Sequence, residues 1–278
     1  MAQANNPPKA ARQRFRLLIE FEGTGYRGWQ KQGEKTIRTV QGVILERAAE
    51  LFVGAAVDLQ GNGRTDAGVH ALEYTAHLEV ETSLAPAVIK AALNRTLPRD
   101  IAILDLVPAD PRFHARHQCL GRSYLYQIAE EPRAFFRRYA WDLEASLDLA
   151  LMQQAARLFI GMRDCAAFAE KQELKKSTLV LVKAVVLERV AGLLLVRVVA
   201  SHFLWHLVRR LVGTLAAIGS GKLTVAEVEA MLASGESSSI PWMAPAHGLF
   251  FEKAFYDRGA LDSFAETVPM APAPGFLR

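Results

Sequence analysis

The sequence is poor in the residues that hold small cross-linked or metal-bound folds together. It has two cysteines, Cys119 and Cys165, in 278 residues. Their spacing matches no zinc-ligand pattern, and two thiols make no disulfide framework, so a reducing compartment is expected. No long uncharged apolar run is present. The longest apolar stretch near the C-terminal half, residues 203–218, is interrupted by His206, Arg209 and Arg210, which argues against a membrane span. Residues 1–16, MAQANNPPKAARQRFR, have no apolar centre of the kind a secretion signal needs. These absences lead to the expectation of a cytoplasmic protein. A strong charge excess is missing too. The 33 Lys and Arg exceed the 29 Asp and Glu by four, which names no polyanionic partner unless the cations cluster.

Nucleotide signatures are imperfect. GTGYRGWQ at 23–30 fits the glycine spacing of a dinucleotide loop, but a polar loop follows it where a helix should open. GSGKLT at 219–224 has Ala216 in place of the first glycine of a phosphate loop, and Leu223 after its lysine. No nucleotide cofactor and no metal are expected.

What is present is a repeated order of elements. Phe15, Leu17, Ile19 and Phe21 alternate as in a strand, and Val40, Ile44, Ala48 and Leu51 recur at helical spacing. Thr36 or Thr39 suits the cap of that helix. Strands are expected at 57–60, 74–80 and 101–107, with a helix at 83–97. The order β-α-β-β-α-β is that of a ferredoxin-like unit. A similar order follows: strand 123–129, helix 147–160, strands 179–189 and 193–200 about an Ala191-Gly192 turn, helices 202–218 and 224–233, and strand 249–256. The expected fold is α+β, with two ferredoxin-like halves facing each other across a central basic cleft. The expected divisions are a tail at 1–13, halves at 14–110 and 111–257, and a C-terminal tail at 258–278.

The loop GNGRTDAGVH at 61–70 stands out. Its glycines let the backbone turn tightly and approach a ligand, and they present Arg64, Asp66 and His70. An isolated Asp in such a turn more often caps backbone N–H groups than reacts, and an isolated His more often packs. Cations and aromatics then cluster: Arg112, His114, Arg116, His117 and Arg122 with Phe113 and Tyr124, then Arg133, Arg137 and Arg138 with Phe135 and Phe136. Guanidinium groups suit phosphates and aromatic faces suit an extruded base. A solvated edge is the plainer alternative. Residues 202–222 contain no acidic residue, so Arg209 or Arg210 on that apolar segment is expected to meet a carboxylate from elsewhere.

Eight pieces in order over residues 15–257 carry a family resemblance: GTGYRGWQ at 23–30, TVQ at 39–41, GRTDAGVH at 63–70, LPRDI at 97–101, FHAR at 113–116, RSYLY at 122–126, FLWHLVRRLVG at 203–213 and APAHGL at 244–249. The chain resembles the tRNA pseudouridine synthase A family. The resemblance implies conversion of uridine to pseudouridine at positions 38 to 40 of the tRNA anticodon arm, without a cofactor, by a homodimer. It implies Asp66 as nucleophile, Arg209 as the cleft arginine, Tyr124 as the base-stacking ring, Arg64 as the loop arginine and Leu249 in the uracil pocket; an ion pair between Asp66 and Arg209 is expected. Arg116, Arg122 and His70 are further expected substrate contacts. The chain departs from the family at Leu207, often Met, at GMRDC (161–165), and near Ser177 and Thr178, where an arginine is common. An inactive RNA-binding protein would be expected to have lost Asp66, Arg209 or Tyr124, and a methyltransferase would need a cofactor site.

Overall fold

A computed structural model describes residues 11–34, 36–132, 134–170, 177–234 and 241–272. The chain order is β1 (Arg12–Phe21), α1 (Val40–Leu51), β2 (Val57–Gly61), β3 (His70–Glu81), α2 (Pro86–Thr96), β4 (Ile101–Pro108), β5 (Gly121–Ala129), β6 (Trp141–Asp142), α3 (Leu149–Leu158), β7 (Gly161–Asp164), β8 (Leu179–Val190), β9 (Leu193–Ala200), α4 (Leu207–Gly219), α5 (Val225–Ser234), β10 (Leu249–Phe255) and α6 (Arg258–Ala265).

Local chemistry sets most ends. The Thr39 side chain accepts from Gly42 N, and Asp148 from Leu151 N, capping α1 and α3. Thr224 and Glu227 cap each other's backbone at the start of α5. Ala191 and Gly192 both take positive φ, 51° and 82°, as a tight hairpin turn requires. Three expectations need correction. The N-terminal strand begins at Arg12, inside the expected tail; residues 1–10 lie outside those described. The helix expected from 202 begins at Leu207, because Phe203 packs edge-on against Tyr124 instead of joining a helical stripe. The expected C-terminal tail opens with α6, capped by Asp257 and anchored by buried Leu261.

The class is α+β, as expected. One sheet runs β4-β1-β3-β10-β5-β9-β8-β7, with β2 added to β3 and β6 to β5. The strands of each β-α-β-β-α-β run lie in the order fourth, first, third, second: β4-β1-β3-β2 and β10-β5-β9-β8. The two sets are continuous. β2 covers one end of a β3 edge, and β10 pairs parallel with the other end, Phe250 opposite His70 and Lys253 opposite Glu73. Ile19 opposite Tyr74 and Phe251 opposite Tyr124 line one face, the Tyr74 and Phe251 rings in edge contact, in one core with residues of α1 to α4. On the opposite face, Arg197 on β9 and Glu252 on β10 form a buried, two-pronged pair at 2.8 and 2.6 Å across β5.

Candidate active site

The loop at residues 62–69, between β2 and β3, rests on the loop at residues 22–30. Trp29 N donates to Thr65 O at 3.3 Å, Gly68 N to Tyr26 O at 3.2 Å, and Gly23 N to His70 Nδ1 at 2.9 Å. Gly28 has φ of +86°, and a Cβ there would collide with the Thr65 carbonyl. Beneath the pair, buried Trp29 stacks on Tyr74 with ring centres 4.1 Å apart, and the Tyr74 hydroxyl donates to Gly63 O. The glycine pattern that imitates a dinucleotide loop is therefore a bracket for the Asp66 loop.

The second set of elements meets Asp66 from the other side. Trp205 Nε1 donates to Asp66 Oδ1 at 3.0 Å, and Arg209 approaches Oδ2 at 3.4 Å. The expected Asp66–Arg209 pair is present. Arg209 Nε also donates to Ala244 O at 2.8 Å, which aims the guanidinium. The two side chains are 20% and 13% exposed, so the pair is shielded yet open to a ligand. His206 Nε2 lies 3.5 Å from the same Oδ2. Tyr124 packs edge-on between Phe203 and Phe251. Its hydroxyl holds its proton more tightly than an ordinary tyrosine, first through burial and then through the negative charge of Asp66. Leu249 is buried at the start of β10, opposite Tyr126. Tyr126 donates to Pro245 O at 2.8 Å, and its ring lies so close to Gly248 that a Cβ there would sit 2.7 Å from Cζ.

Other expected contacts lie elsewhere. His70 is buried on the opposite face, stacked on Phe250, with Nε2 3.1 Å from the Arg138 and His247 carbonyls. Burial lowers its proton affinity, so it is a packed, neutral histidine. Arg122 uses its fork on backbone: Nε and Nη2 reach Asn62 O at 3.2 and 2.6 Å, and Nη1 reaches Ser201 O at 3.1 Å. It braces the Asp66 loop against the β9–α4 connection. Arg116 is exposed on a segment tied to the opposite face, where Ala115 N donates to His77 Nδ1. Residues 135–140 also pack there, with Phe136 and Ala140 against Leu125 and Phe250. Arg122 apart, the expected basic cluster is thus divided from Asp66 by the sheet; Arg133 lies outside the described residues. Arg64 is exposed two residues from Asp66.

Residue-by-residue reading of the sequence did not single out Trp205, His206 or Glu170. His206 Nδ1 lies 2.8 Å from Glu170 Oε1, and Arg210 donates to the same oxygen at 2.6 Å. The His206 hydrogen bond first, then the hydrogen bond and charge of Arg210, hold the Glu170 carboxyl below the usual range against its partial burial. The acid-free run at 202–222 was the available signal: its cations needed carboxylates, and Asp66 and Glu170 supply them.

A family model described as tRNA pseudouridine synthase matches residues 17–118 and 155–257. A tRNA pseudouridine synthase A from Zymomonas mobilis is 37% identical over 246 residues, covering 87% of this chain and 99% of the relative. One from Methylobacterium nodulans is 37% identical over 253 residues, covering 90% and 98%. A tRNA pseudouridine synthase A 2 from Clostridium tetani is 35% identical over 244 residues, covering 87% and 98%.

Proposed function

The chain belongs to the tRNA pseudouridine synthase family, enzymes that isomerise uridine in tRNA, and from that premise we propose that Asp66 is the nucleophile of this reaction. The reaction breaks the N1–C1′ bond, turns the detached uracil and joins C5 to C1′. A carboxylate can attack carbon without a metal or an activating base. The observation that carries the reading is the position of Asp66. It is held by the second set of elements, with Trp205 on one oxygen and Arg209 on the other. Arg209, itself aimed by the Ala244 carbonyl, orients the carboxylate. Tyr124 and Leu249 line the place of the base, and Arg64 reaches a neighbouring phosphate.

The motif resemblance supports uridines 38 to 40 of the anticodon arm as targets and a homodimer, and the scarcity of cysteine supports a cytoplasmic setting. Among the described residues, no helix is long and apolar enough to cross a membrane.

The test is incubation of pure protein with unmodified tRNA transcript, mapping of pseudouridine, and tRNA binding in parallel. Asp66→Asn keeps size and packing, so it should bind tRNA and form no pseudouridine. Product from that variant at the wild-type rate would remove Asp66 from the role.

A further inference from the structure

The isomerisation requires more than a nucleophile. When N1–C1′ breaks, the uracil leaves with an extra electron pair. When C5 joins C1′, C5 still carries its hydrogen. That C5–H bond must then break, its pair forming the C5=C6 double bond, while N1 takes up a proton. One proton leaves carbon and one arrives at nitrogen, so a single group that accepts and then donates balances the sum.

We propose that His206 is this proton carrier, positioned by Glu170 and Arg210. Its Nδ1 is 2.8 Å from Glu170 Oε1, which fixes the tautomer with the proton on Nδ1. Nε2 then faces the Asp66 side, 3.5 Å from Oδ2, with the side chain 17% exposed. Arg210 anchors Glu170 at 2.6 Å, so the dyad is held from behind. The groups facing the ring are Asp66 from the 62–69 loop, Glu170 after β7, and Trp205, Arg209 and Arg210 from the segment around α4. Carboxylates lie on both of its nitrogens, so the imidazolium formed after proton uptake is paired on each side. The backbone agrees with a constrained role. His206 has φ of 63°, a left-handed conformation that a β-carbon disfavours, at the position just before α4. Trp205 stacks beside it, ring centres 4.6 Å apart, and limits its rotation.

The inference rests on the family reaction and, for where the base lies, on Asp66 as nucleophile. The experiment is single-turnover pseudouridine formation on tRNA carrying either hydrogen or deuterium at C5 of the target uridines. His206→Gln removes proton transfer but keeps a polar side chain; Glu170→Gln leaves the histidine and frees it. His206→Gln should slow turnover on the order of 10²–10⁴-fold and raise the C5 isotope effect above the wild-type value, because C5–H cleavage becomes limiting. Glu170→Gln should raise the same isotope effect with a smaller loss of rate. An unchanged rate in His206→Gln, or slowing without a larger isotope effect in either variant, would overturn the proposal and leave His206 a packing residue. Should His206→Gln fail to fold, Glu170→Gln decides by the same criterion. Asp66→Asn run alongside separates the two readings: product from it sinks the nucleophile, while the isotope effect judges His206.

Discussion

Tyr124 and Tyr126 lie two residues apart on β5 and face the same side of the sheet, where strand alternation cannot separate them. Tyr126 is fully buried, with its hydroxyl on Pro245 O. Tyr124 lies near enough to Asp66 to feel its charge. Tyr126→Phe should cost about 0.5–1.5 kcal/mol of stability in urea unfolding and leave turnover intact. Tyr124→Ala should lose turnover by about 10–100-fold, the worth of one base–aromatic stack, and Tyr124→Phe should keep most of it. The reverse pattern would mean the wrong ring was chosen. His77 on β3 makes a pH prediction. Burial first, then His114 and Arg14, push its imidazole down to about 4. An ordinary histidine binds its proton near 6.5. Between these values the unfolded chain holds more protons, so stability falls as pH drops from 6.5 toward 4. His77→Gln should recover about 1–3 kcal/mol of that acid loss, read as urea midpoints at neutral and acid pH.

At the level of elements, the site depends on one loop supporting another. Residues 22–30 and 62–70 are joined by three hydrogen bonds, two donated from the first loop and one from Gly68 N, and by one close approach at Gly28. Gly28→Ala puts a side chain in the left-handed region and against the Thr65 carbonyl, next to Asp66. The strain is worth about 1–2 kcal/mol, but displacement of the carboxylate matters more, since errors on this scale cost on the order of 100-fold in rate. Gly25 is the control. It has no positive φ, and a Cβ there would find only the Arg38 guanidinium, 3.6 Å away. Gly25→Ala should therefore retain activity. A single-turnover comparison of the two variants, with melting curves, tests whether the bracket positions Asp66.

Across the whole molecule, the sheet decides which charges act together. Arg64 lies near Asp66, whereas residues 135–140 pack on the opposite face. tRNA affinity should fall with salt as counterions are released. Arg64→Ala should reduce the log–log slope by about 0.7–0.9, one phosphate contact. Arg137→Ala should leave it unchanged. Equal effects from both would show that RNA wraps around the sheet edge.

Much of this was legible in the chain. The alternation of Phe15 to Phe21, the cap at Thr39 and the Ala191-Gly192 turn are matters of neighbouring atoms, and the structure has each of them. Arg209 was also legible as a cation in need of a carboxylate, because an unpaired guanidinium on an apolar helix is costly wherever it packs. The remainder depended on packing. Period-2 alternation says that His70 and Ala71 point to opposite faces, but not which face carries Asp66. Arg122 reads as a phosphate ligand until the Asn62 and Ser201 carbonyls arrive, and it then becomes a brace. Trp205, His206 and Glu170 gain their meaning at distances of 36 to 139 residues along the chain. Hydrogen bonds and ion pairs act over a few ångströms in space, and sequence separation carries no record of which groups the sheet brings that close.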